Sequence, residues 1–246
     1  MMSIDLNCDM GEGFENDEEL IHYISSANIA CGFHAGNDLI MKKTIELCIK
    51  NNVAIGAHPG YADKENFGRN EQQLSYDDYY KLITAQLNIF KNHTDHLNVK
   101  IHHVKPHGSL YNQAAKDKSI AAAITKAVHD FDQNLIIYGL SGSYMISEAK
   151  ILGLKTASEV FADRTYQDDG SLTQRTSGSA LISDVETSMK QVIDMIEKGK
   201  VTSINNTRVS IIAETICLHG DGKHAVEFAI NIFNCLKKNN IEIKAI

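Results

Sequence analysis

Proline occurs only twice in this 246-residue chain, and no proline- and serine-rich tract or internal repeat breaks it into parts. A tether between independent units is therefore not expected, nor is a repeat array. No apolar run approaches the ~20 residues of a membrane span, so no membrane partner is expected. Lysine and arginine are unclustered, and 24 of them against 31 acids leave a net charge of −7. That balance excludes a general binder of nucleic-acid phosphates. The first ten residues lack the basic start and apolar stretch of a secretory signal and carry Asp5 and Asp9 instead. The five cysteines, Cys8, Cys31, Cys48, Cys217 and Cys235, include no C-x-x-C pair. Reduced thiols in a cytoplasmic protein are the plain expectation. The G-x-x-x-x-G-K-[ST] phosphate loop is also missing, as is any H-x-H pair; His103 and His107 have H-x-x-x-H spacing, but on a strand end with Pro106 between them rather than on a helix.

What is present is ordinary for a globular chain: 43% apolar and 22% charged residues, enough for a core without disulfides. Short apolar segments alternate with amphipathic ones. Strands are expected at Ile4–Cys8, Ala27–Cys31, Val53–Ala57, Lys100–Lys105, Leu135–Gly139, Leu154–Val160 and Val209–Leu218. Helices are expected at Asp17–Ile24, Asp38–Lys50, Tyr76–Lys91, Ser119–His129, Tyr144–Leu152, Asp184–Glu197 and Ala225–Lys238, with Ser75 and Asp184 as starts and Gly153 as a stop. Such alternation implies a mostly parallel sheet, open or closed into a barrel. Connections into strands are short and those leaving strands are long, so the ligand should sit on the outgoing loops at the strands' carboxyl ends.

Read at period two, one face of each strand is apolar while the other collects Asp5, Asn7 and Asp9, Gly56 and His58, His103, Lys105 and His107, and Thr215 and His219. Barrel interiors are usually filled by Val, Ile and Leu, and unpaired buried charges cost several kcal/mol, so an inward polar set implies a satisfied network or a site. Asp5 is expected to partner Lys105 or His103, and Cys8, Cys31 and Cys217 to pack as small apolar residues. His102 should face outward, and His22, His93, His96, His129 and His224 should lie on the surface. His34, His58, His107 and His219 with Asp9 have the donor types for a divalent metal, but no local spacing fixes two ligands, so no residue is assigned to one.

The strings at the strand ends carry a further signal. They are Asp5-Leu6-Asn7-Cys8-Asp9-Met10-Gly11-Glu12-Gly13-Phe14, the run Ser26 to Gly36, Gly56-Ala57-His58-Pro59-Gly60-Tyr61, His103-Val104-Lys105-Pro106-His107-Gly108, Glu159-Val160-Phe161-Ala162-Asp163-Arg164 and Thr215 to Asp221. In this order they resemble the LamB/YcsF family over essentially the whole chain. Departures are small; Asn70, for example, stands where a basic residue is usual.

The resemblance implies an α/β fold, a (β/α) barrel of about seven parallel strands of the glycoside hydrolase/deacetylase kind, as one domain over residues 1–246. It implies the work of the A-subunit of a cytoplasmic, ATP-dependent 5-oxoprolinase, which opens 5-oxo-L-proline to L-glutamate together with two partner subunits. ATP would bind here or on a partner, with a divalent metal accompanying it as an option. For that reaction, residue type and strand parity make Asp9, Lys105, His107 and Glu159 the expected catalytic residues. Asn7, Glu12, His34, His58, Arg164, His219 and Asp221 would bind substrate. Two alternatives stay open: a metal-dependent hydrolase or deacetylase acting alone, and a non-catalytic subunit that presents the lactam to its partners.

Overall fold

The computed structural model describes residues 2–218 and 225–246. Its strands are β1 (Ser3–Met10), β2 (Ser26–Ala30), β3 (Ala54–His58), β4 (His103–Val104), β5 (Ile136–Leu140), β6 (Lys155–Phe161), β7 (Lys200–Thr202), β8 (Arg208–Ser210), β9 (Thr215–Leu218) and β10 (Glu242–Ile243). The helices are α1 (Asp17–Leu20), α2 (Asp38–Asn51), α3 (Tyr76–His96), α4 (Gly108–Lys116), α5 (Lys118–Phe131), α6 (Tyr144–Ile151), α7 (Val185–Lys198) and α8 (Ala225–Lys238). Among the described residues no helix is long and apolar enough to cross a membrane.

Strands β1 to β6 and then β9 lie side by side, all parallel, and β9 pairs back onto β1 through Asp5 opposite Thr215 and Cys8 opposite Leu218. The sheet is thus a closed barrel of seven strands, as expected, with helices around it. Closure leaves no free edge among these strands. β10 adds to the start of β1, and β7 and β8 form a separate antiparallel pair.

The outward faces of the strands build the core. Leu6, Cys8 and Met10 of β1 are fully buried, together with Ile29, Met41, Ile45 and Cys48 from β2 and α2. Helix starts follow the chemistry of their caps: Asn37, Ser75 and Asp184 accept from the main-chain N–H three residues on, at 3.0, 3.2 and 2.8 Å. Gly153 follows the end of α6 with φ +78°. Asn37 rather than Asp38 is the cap of α2.

Three boundaries depart from expectation. The segment Val209–Leu218 is not one strand: β8 pairs with β7, and the chain then restarts as β9 in the barrel. An apolar pattern carries no record of a change of partner. The fourth strand is only His103–Val104, although Lys105 N and His107 N still donate to Ala57 O and Pro59 O of the neighbouring chain segment on either side of Pro106, which has no N–H to give. The turn after Pro106 is not loop but α4, which buries Leu110, Tyr111 and Ala114.

Inside the barrel, a small apolar cluster of Ile136, Tyr138 and Ala157 covers the β5–β6 side, and the remaining inward positions are largely polar. Gly56 on β3 lies against the His103 ring, where a Cβ would overlap it. Gly56→Ala is therefore expected to destabilise the chain by the ~1–3 kcal/mol typical of overpacking, measured as a lower midpoint in urea with an unchanged slope. Wild-type stability would show that the ring can move aside.

Candidate functional site

The inward residues stack in tiers. At the lowest, Asp5 accepts from the hydroxyls of Ser25 (2.6 Å), Ser26 (2.7 Å) and Thr215 (2.6 Å). It does not reach Lys105 or His103, because three nearby hydroxyls already satisfy it. Above it, Asn7 is the hub. Its amide nitrogen donates to Glu159 Oε1 (2.9 Å) and Thr215 Oγ1 (2.7 Å), while its oxygen accepts from Asn28 (2.7 Å) and Lys105 Nζ (3.1 Å). Asn28 also donates to Asp9 and accepts from His103 Nε2 at 2.8 Å.

Lys105 is 2% exposed and holds the centre. Its ammonium lies 2.8 Å from Glu159 Oε1, 3.0 Å from Asp9 Oδ1 and 3.0 Å from Cys217 Sγ. Burial alone would lower its pKa, but Asp9, Cys217 and Glu159 hold it well above the ordinary lysine value. Cys217, expected only to pack, thus faces the charged interior. Burial pushes its thiol well up, against the pull of Lys105.

At the mouth, Glu12, His34, His58 and His107 bring one ligand-type atom each to within 4.8 Å of one another. They come from the loops after β1 and β2, the end of β3 and the turn after β4. No local motif could therefore announce them. His58 Nδ1 is 2.7 Å from the carbonyl of Lys105, and His107 Nε2 is 2.9 Å from that of Phe67. A carbonyl only accepts, so each of these nitrogens carries the hydrogen. The opposite nitrogens, His58 Nε2 and His107 Nδ1, then face each other at 2.9 Å as lone pairs. Carboxylate oxygens crowd the same point: Asp9 Oδ2 is 3.3 Å from His58, and Glu12 Oε1 is 3.3 Å from His107 and 3.4 Å from His34. So many acceptors converging out of water require a positive charge among them. Burial would raise the Glu12 pKa, but the imidazoles of His107 and His34 bring it down to about 2. Burial lowers His34 to about 3, and His107 in the same direction.

Asp9, Glu12, His58, Lys105 and His107 form one wall of a cavity of about 820 Å³, within the usual range for a small-molecule site. Arg164 lines the same cavity, though its guanidinium donates to the carbonyls of Thr173 and Ala180 and so also holds its own loop. Glu159, Asn7 and His34 stand behind the wall. His219 and Asp221 lie outside the described residues. Tyr111 lines the cavity with a buried hydroxyl that has no hydrogen-bond partner. Sequence reasoning passes over Tyr111, Asn28 and Cys217. Mid-strand polarity marks Asn28, and Cys217 shares the parity of Thr215, but Tyr111 sits on α4, a helix that apolar periodicity does not announce.

A sequence profile of the LamB/YcsF family matches residues 4–246. The chain is 49% identical to the 5-oxoprolinase A-subunit of Staphylococcus aureus (strain MSSA476) over 250 residues, covering all of both chains. Among solved structures it is similar to the lactam utilization protein of Thermus thermophilus, with a TM-score of 0.93, 34% identity and full coverage of both. A family 4 carbohydrate esterase from Streptomyces lividans shares the fold alone, with a TM-score of 0.54 at 10% identity, over all of this chain and 93% of the esterase.

Two outcomes test this geometry. Lys105→Met leaves Asp9 and Glu159 without their cation and should cost ~3–5 kcal/mol. Adding Glu159→Gln should recover part of that loss in a double-mutant cycle, and strict additivity would show that the two are not coupled. Asp17 Oδ2 accepts from Gly11 N at 2.8 Å in the turn that presents Glu12. Burial raises the Asp17 pKa to about 6. A raised folded-state pKa stabilises below the ordinary value of about 3.9 and loses that contribution as pH rises through 6. Asp17→Asn keeps an acceptor without the charge, so its stability relative to wild type should improve from pH 4 to pH 7. A flat difference would refute this.

Proposed function

The chain belongs to the LamB/YcsF family, and from that premise we propose that it acts as the A-subunit of an ATP-dependent 5-oxoprolinase in the cytoplasm, with two partner subunits. What carries the reading is the full-length, 49% match to a protein of that name, joined to an acid–base wall on one cavity. The reaction is 5-oxo-L-proline + ATP + 2 H₂O → L-glutamate + ADP + phosphate. An unstrained five-membered lactam resists water. Phosphorylating its oxygen makes the ring carbon an electrophile that water can attack.

The tetrahedral adduct then has two exits. Expelling phosphate regenerates the lactam and wastes the ATP. Protonating the ring nitrogen breaks the C–N bond and leaves an acyl phosphate, which the second water hydrolyses to glutamate. Productive turnover therefore depends on a proton delivered to nitrogen. Asp9 suits both transfers: it opens on the cavity and can take the proton of the attacking water and pass it to nitrogen.

Lys105, in the cavity wall, stabilises negative charge on the transferred phosphoryl group or the adduct. His107, with His58 beside it, takes part in the proton transfers from the same wall of the cavity. Glu159 and Asn7 position Lys105. Glu12 and His34 complete the mouth, and Arg164 meets the substrate carboxylate from the far wall. His219 and Asp221, outside the described residues, are assigned to substrate by residue type and their place at a strand end. ATP binds either on this chain, which has no Walker-type loop, or on a partner subunit.

The test is glutamate release from 5-oxoproline and ATP by the purified chain, alone and with its two partner subunits. Glutamate only from the full mixture is expected. Asp9→Asn and His107→Gln should each lower turnover by ~10²–10⁴-fold with the fold intact. Near-wild-type rates in both would remove these two residues from the chemistry.

A further inference from the structure

The convergence at the barrel mouth is over-supplied with acceptors for a proton to satisfy. A proton bridging His58 Nε2 and His107 Nδ1 would pair those two atoms and no others. Glu12 Oε1 and His34 Nε2 would still approach only to 3.4 Å without forming a hydrogen bond, and His34 Nδ1 would be buried with no partner. His34 is 1% exposed, and Gly60 leaves the space its ring fills: a Cβ there would lie 2.7 Å from His34 Nδ1. A buried imidazole with neither nitrogen bonded costs free energy that a fold does not keep without cause.

One ion can satisfy all four donors together. We propose that Glu12, His34, His58 and His107 form a resident site for a single divalent transition metal of the zinc class. The donor set of three imidazoles and one carboxylate is that of first-row divalent ions rather than magnesium or calcium, which take oxygen ligands. Bonds of about 2.0–2.1 Å place tetrahedral donors roughly 3.3 Å apart. Glu12 Oε1 lies 3.3 Å from His107 and 3.4 Å from His34, while its 3.9 Å to His58 is longer and the 2.9 Å between His58 and His107 is shorter. The outer shell is also in place: the carbonyls of Lys105 and Phe67 take the far N–H of His58 and His107, which fixes the tautomer that ligation needs. Three of the four donors line the cavity, so a bound ion would border it.

Metal content is measured without substrate, so this assignment can fail while lactam cleavage stands, and the reverse. The chain, purified without chelator or affinity-tag metal, is expected to carry about one equivalent of a first-row divalent ion by mass spectrometry. After chelation, Co²⁺ should restore one equivalent with the visible d–d bands of a low-symmetry, four- or five-coordinate site. Zn²⁺ should raise the melting temperature of the chelated protein. His34→Ala, with the fold checked by circular dichroism, should lose more Co²⁺ affinity than the ~10–100-fold that removing an outer-shell partner costs. If His34→Ala does not fold, the wild-type cobalt titration decides alone. An ion-free wild-type chain that gives neither cobalt bands nor a zinc-dependent shift would overturn the proposal.

Discussion

The interior of this barrel is organised by one buried cation. Lys105 stands where a barrel normally places a branched aliphatic side chain, and taking its charge out of water is costly. Everything around it answers that cost. Two carboxylates on β1 and β6 neutralise it, Asn7 orients both sides, and Asn28, Thr215 and Cys217 fill the remaining directions. Because these partners come from several strands, the network also records barrel closure: Glu159 on β6 and Asp9 on β1 can meet one ammonium only if β9 joins those two strands.

Above that paired base the chemistry changes. The lower tiers gather hydrogen-bonded acceptors around a cation, with Glu159 Oε2 the exception, buried without a hydrogen-bond partner. The mouth instead gathers acceptors that outnumber their donors. The first arrangement is that of a foundation and the second that of a binding site, and the cavity begins where one gives way to the other. This division explains why residues of the same type sort differently. Asp5 and Asp9 lie on the same face of one strand, yet three hydroxyls close off Asp5 while Asp9 opens on the cavity.

Much of this is legible from period-two parity. Asp5, Asn7, Asp9, His58, His103 and Lys105 all point inward as their positions require, because a strand in a closed barrel has no freedom to rotate. Among the described residues, Glu12, His34 and His107 on the outgoing loops are brought to the same end of the barrel because its strands are parallel. What parity cannot show is who meets whom. Residue type matches Asp5 to the nearest charges, but three hydroxyls of β2, its preceding turn and β9 reach it first. Of the four-donor cluster, His34, His58 and His107 are legible as metal-type donors, but Glu12 and the meeting of the four are not, because they are spread from residue 12 to residue 107 and come together only around the barrel. Helix α4 escapes the pattern because its first residue is a glycine at positive φ, two positions after a proline, a combination that reads as a turn.

The acceptors that set the tautomers of His58 and His107 belong to the main chain. No exchange of side chain at position 105 or 67 deletes a carbonyl oxygen; it can only tilt the peptide that bears it. Genetic drift can thus alter the donors of this cluster one at a time, while the frame that aims them changes only if a loop is rebuilt. Phe67 holds its carbonyl in place at φ 56°, a conformation that glycine or asparagine reaches more easily. An engineer wishing to re-aim the histidines should therefore start with that peptide, leaving the rings untouched.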